Sequence, residues 1–105
     1  MPYTFGCRSR SQFLFPVIQG LRLHRQELLH GQPITIHLGI GGGYSGEYIC
    51  KVNARSLSIT VDYNYADTTR FPARIKAACI ALCLEGFNGT FRISHEFGNI
   101  IIRQL

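Results

Sequence analysis

Asp62 to Gly86 reads DYNYADTTRFPARIKAACIALCLEG. The first residues close a strand, a polar and aromatic turn follows, and beyond it the pattern turns helical. Ile75, Ala78, Cys79, Leu82 and Cys83 recur at i, i+3, i+4, i+7 and i+8, which lines one face of an α-helix. Ile80 and Leu84 widen that stripe, so the helix is expected to be covered on more than one side. Pro72 suits the first helical position, where a missing N–H removes no bond. Asp67, Thr68 and Thr69 offer turn and capping groups, and Gly86 marks the end.

Strands flank this helix. Ile34, Ile36, Leu38 and Ile40 alternate with Thr35, His37 and Gly39, a period of two. Gly41 to Gly46 is a turn, and Tyr48, Cys50 and Val52 alternate with Glu47 and Lys51 on the return. After Asn53-Ala54-Arg55, a third run alternates Leu57, Ile59, Val61 and Tyr63 with Ser58, Thr60 and Asp62. Short turns between three such runs predict an antiparallel meander. Beyond the helix, Asn88-Gly89 starts a last pair of strands, Thr90 to Ser94 and Asn99 to Arg103, joined through His95-Glu96-Phe97-Gly98. Ile100-Ile101-Ile102 is apolar on both faces, so this strand is either central or an edge that a second copy must cover; a homodimer is the favoured expectation.

Upstream, a first helix is expected over about 17–30, closed by Gly31 in the left-handed position and by Pro33 beyond it. Pro16 and Gly20 leave its start undefined. Residues 1–10 show no usable period and read as a flexible basic arm, tacked down through Tyr3 and Phe5. Residues 11–105 form a single small α+β domain: an antiparallel sheet with helices packed on one face, in the order α-β-β-β-α-β-β.

At 105 residues the chain has enough length for one core. Hydrophobic residues at 46% and charged ones at 16% exclude a disordered class and leave few charges to solubilise a monomer. Eleven Lys and Arg against six acids give +5, which favours polyanionic partners: nucleic acid, a nucleotide or an acidic protein surface. Cys7, Cys50, Cys79 and Cys83 form no CxxC, and three fall on apolar positions, so reduced thiols in a cytoplasmic protein are expected. The apolar run from Phe13 to Ile18 is too short for a signal or a membrane span, and no membrane role is expected.

Two motifs carry the functional reading. Arg70, Arg74 and Lys76 cluster where the main helix begins, although helix N-termini disfavour positive charge. Asp67 compensates them, or a bound anion does, with helix N–H groups and cations converging on a phosphate. Tyr63 and Tyr65 just upstream are placed to stack on a base, or else serve as core and rim aromatics. Arg8 and Arg10 of the arm would assist. The second motif, Gly41-Gly42-Gly43-Tyr44-Ser45-Gly46, fits G-x-G-x-x-G but leads into a strand, so it reads as a hairpin tip. The sharper variant is a ligand loop in which Gly41, Gly43 and Gly46 flex and Tyr44 stacks.

Helix, three strands, helix is similar in order to the double-stranded-RNA-binding fold, where basic residues at the start of the last helix contact phosphates. That likeness implies a phosphate-facing role for Arg70, Arg74 and Lys76; the lysine-rich signature and loop motif of the fold are absent, and two more strands follow.

No catalytic residue, metal site or cofactor is expected. Cys79 and Cys83 share the core stripe, where buried thiols are structural. His24, His30, His37 and His95 are scattered, and Ser94-His95-Glu96 reads as a polar turn. The expected function is a small non-enzymatic nucleic-acid-binding protein that contacts phosphates from a basic helix N-terminus. The alternative is an oligomeric interaction protein that binds an acidic protein surface or sequesters a small phosphorylated ligand.

Overall fold

The structure, a computed structural model, describes residues 2–7, 11–39, 46–62 and 72–105. In chain order these form β1 (Pro2–Gly6), α1 (Leu14–Leu23), α2 (Arg25–Leu29), β2 (Ile34–His37), β3 (Gly46–Asn53), β4 (Ser58–Asp62), α3 (Ala73–Leu84), β5 (Gly89–Glu96) and β6 (Asn99–Gln104). All strand pairs are antiparallel, in one six-stranded sheet ordered β1-β4-β3-β5-β6-β2, with the helices on one face. The fold is α+β.

The expected three-strand meander does not form. β3 lies between β4 and β5, while β2 sits at the far edge against β6. Its register sets Ile34 opposite Ile102 and Ile36 opposite Ile100, so the alternating faces of both strands agree. β6 is thereby a central strand, with Ile100 and Ile102 buried and both hydrogen-bonding edges taken by β5 and β2. The apolar run that suggested a covered dimer edge is satisfied inside one chain. The likeness to the double-stranded-RNA-binding fold also ends here, because the three strands between the helices are not neighbours in sequence order.

Pro2–Gly6, expected within a flexible arm, is edge strand β1, with Thr4 opposite Thr60 and Phe5 opposite Ile59. Phe5 packs against the core, as the sequence suggested. Cys7, just beyond, is disulfide-bonded to Cys83 of α3, so reduced thiols describe only Cys50 and Cys79. The first helix starts at Leu14, with Pro16 inside the first turn, where its N–H would have no intrahelical acceptor. It breaks at His24 into α1 and α2.

Both expected helix ends are Schellman motifs. Gly31 and Gly86 take positive φ, Gln32 N–H donates to the Glu27 carbonyl, and Phe87 N–H donates to that of Leu82. α3 is enclosed on nearly all sides: Ile75 and every residue from Ala77 to Cys83 are buried, and only Leu84 of the expected stripe is exposed. It lies on β3, β4 and β5 with α1 beside it. Phe91, Ile59, Ile93 and Leu82 fill the space between helix and sheet. Burying such side chains contributes about 1.5–3 kcal/mol each.

Candidate anion-binding surface at the start of α3

α3 begins at Ala73, after Pro72 in an extended conformation with ψ of 126°. Its N-cap makes no side-chain hydrogen bond, and its first turn contains no acidic residue. The N-terminal N–H groups of a helix have no partners within it, and they carry the positive end of its dipole. Two cations nevertheless sit here.

The Arg74 guanidinium lies 4.4 Å from the centre of the Phe13 ring, just ahead of α1. The Lys76 ammonium lies 5.5 Å from the centre of the Phe5 ring, on β1. Such contacts contribute about 0.5–2 kcal/mol, more as water is excluded. Both residues are half-buried. Two positions apart on a helix they point about 200° from one another, so they flank α3 rather than converge. Arg74 also acts on His95, a buried residue of β5: burial pushes the imidazole pKa below its ordinary 6.5, and the Arg74 charge lowers it further.

Arg70 lies outside the described residues, as does Asp67, the acid expected to compensate the cluster. Tyr63, Tyr65, Arg8, Arg10, Gly41, Gly43 and Tyr44 also fall outside the described residues. Gly46 opens β3, and its place in the fold is steric: a Cβ there would stand 3.0 Å from the Tyr48 ring and hydroxyl. Sequence reasoning missed Phe5 and Phe13 as partners of the two cations. The only available signal was their proximity in sequence to Arg8 and Arg10.

Other cations serve the fold. Arg22 Nε donates to Glu85 Oε1 at 2.5 Å, a pairing that raises the Arg22 pKa. Arg25 donates to the Glu85 carbonyl at 3.2 Å and stacks 4.7 Å from the Phe87 centre. Together they hold α1 and α2 to the C-terminus of α3, where positive charge complements the dipole.

A shallow depression of about 290 Å³ is lined by Gly46, Glu47, Ser94, His95 and Glu96. Ser94 and His95 are consecutive on a strand and project to opposite faces, so they form no nucleophile–base pair. Among the described residues no group of three or more His, Cys, Asp or Glu is placed to hold a metal ion. Burial, and then its hydrogen bond with Cys50, push the Cys79 thiol well above its ordinary pKa. No helix among the described residues is long and apolar enough to cross a membrane.

Comparison with protein-family models, with curated proteins and with solved structures yields no match.

Proposed function

We infer that the protein is a small, non-enzymatic nucleic-acid-binding protein that contacts phosphates at the start of α3 through Arg74 and Lys76, with Arg70, Arg8 and Arg10 in support. One observation carries this reading: the first turn of α3, which contains no acidic residue, holds two cations, each backed by an aromatic ring. A phosphate there gains helix N–H donors and charge together. The +5 balance of the chain supports the same partner. Because Arg74 and Lys76 flank the helix, they suit two successive phosphates better than one enclosed ion. The cytoplasmic expectation rested on reduced thiols, and the bonded Cys7–Cys83 pair weakens it.

The test is fluorescence anisotropy with short single- and double-stranded DNA and RNA, repeated across salt concentrations. Log Kobs is expected to fall linearly with log salt, and Lys76→Ala and Arg74→Gln each to lower the slope by about one. Binding indifferent to salt, or variants that leave the slope unchanged, would sink the reading. Thermal stabilisation by nucleotides without oligonucleotide binding would replace it with sequestration of a phosphorylated ligand.

A further inference from the structure

The sheet has two faces, and the helices cover only one. On the other, the register lays Asp62, Ile49, Arg92 and Arg103 in a single row across β4, β3, β5 and β6. Lys51, Glu47 and Glu96 project from the same face, by the alternation of β3 and β5. Among the described residues, three cations therefore stand against three carboxylates, and over these the face is neutral although the chain carries +5. Ile49 and Ile101 sit half-buried among these charges, more apolar surface than a purely solvated face requires.

We propose that a second copy of the chain docks on this face, sheet against sheet, about a two-fold axis running along the strands between β3 and β5. Two copies at +5 repel wherever their basic surfaces meet, and the neutral face is where that repulsion vanishes. The strand order places the midline of the six-stranded sheet between β3 and β5. Rotation about that midline exchanges β4 with β6 and β3 with β5. The row Asp62, Ile49, Arg92, Arg103 then lies on its own reverse: Asp62 of each copy meets Arg103 of the other, and Ile49 meets the aliphatic stem of Arg92. Arg92 already reaches Glu47 at 2.9 Å within its own chain. Across the interface it would lie beside the other copy's Glu47 as well, since Glu47 is two residues from Ile49 on β3. Packed sheets stand about 10 Å apart, a gap that an Asp and an Arg side chain together span. Six strands at about 4.8 Å spacing bury roughly 1,000 Å² in total, the lower limit of specific interfaces, so the dimer is weak and concentration-dependent.

Analytical ultracentrifugation of the full chain without nucleic acid, over a wide concentration range, tests this. The expected result is a reversible monomer–dimer equilibrium that weakens with salt. Asp62→Arg and Arg103→Asp, both at exposed positions, should each weaken dimerisation about tenfold by setting like charges opposite. The double reversal Asp62→Arg with Arg103→Asp should restore it. Should a reversal perturb folding by circular dichroism, the neutral variants Asp62→Asn and Arg103→Gln replace it, each weakening the dimer less. A chain that stays monomeric throughout, a dimer indifferent to these variants, or a double variant no better than the singles overturns the proposal.

Discussion

Cys7, directly after edge strand β1, is bonded to Cys83 in the last turn of α3, across a sequence separation of 76 and with Cα atoms 6.7 Å apart. β1 pairs with a single neighbour, β4, so this bond and the packing of Phe5 on the core tie it to the body beyond its one strand partner. Closing so long a loop restricts the unfolded chain strongly. Reduction by a dithiol is expected to lower stability by about 2–4 kcal/mol, measured as a shift in urea midpoint with and without reductant. Hydrogen exchange should show the β1 amides losing protection first. Equal midpoints would mean that the bond contributes nothing. Loosening β1 is also expected to withdraw Phe5 from beneath Lys76.

Phe97 and Gly98 form the two-residue turn between β5 and β6, with φ of 48° and 82°. Positive φ at both positions is the type I′ geometry, which Asn-Gly satisfies best. A phenylalanine there carries a left-handed backbone cost, and its ring is 70% exposed. Phe97→Asn is expected to stabilise the protein by about 0.5–1 kcal/mol in chemical denaturation. A loss of stability instead would mean that the ring makes a contact worth more than the backbone cost.

Gly20 is the point where α1 crosses β2. A Cβ at this position would stand 2.6 Å from Cγ1 and 2.8 Å from Cδ1 of buried Ile36. Alanine favours a helix by about 1 kcal/mol over glycine, but overpacking a core costs about 1–3 kcal/mol. Gly20→Ala is therefore expected to destabilise, and Ile36→Val, which removes Cδ1, to recover part of the loss. Thermal melts of the two single variants and the double variant decide it. Additive effects would refute the close contact.

The helical core of this protein is legible because α3 repeats its apolar period over three turns and ends at a glycine. Alternation likewise identified which residues of β3 and β4 face inward. Alternation says nothing about which strand lies alongside, so the pairing of β2 with β6 stayed hidden: Ile34 and Ile36 fit Ile102 and Ile100 only once the chain has closed on itself. β1 has too few residues to establish a period. The Cys7–Cys83 bond was equally out of reach, since spacing does not determine which cysteines meet. At the candidate site the cations were legible as chemistry. Their aromatic partners, Phe13 and Phe5, come from segments that only the fold brings to α3.

His95 makes the fold sensitive to acid. It is buried on β5, and its pKa is held below 6.5 first by burial and then by Arg74. The unfolded chain takes up a proton as pH drops through 6.5, whereas the folded chain resists until its lower pKa is reached. Stability from this group is thus complete above pH 6.5 and is lost progressively as pH falls toward the folded-state value. Urea unfolding at a series of pH values should show this decline above the range where carboxylates titrate, and His95→Leu should flatten it. Nuclear magnetic resonance of the imidazole supplies the direct measurement, with a midpoint below 6.5 expected. In Arg74→Gln that midpoint should rise without regaining the ordinary value, because burial, the larger cause, remains. A full return would show that the charge of Arg74 outweighs burial.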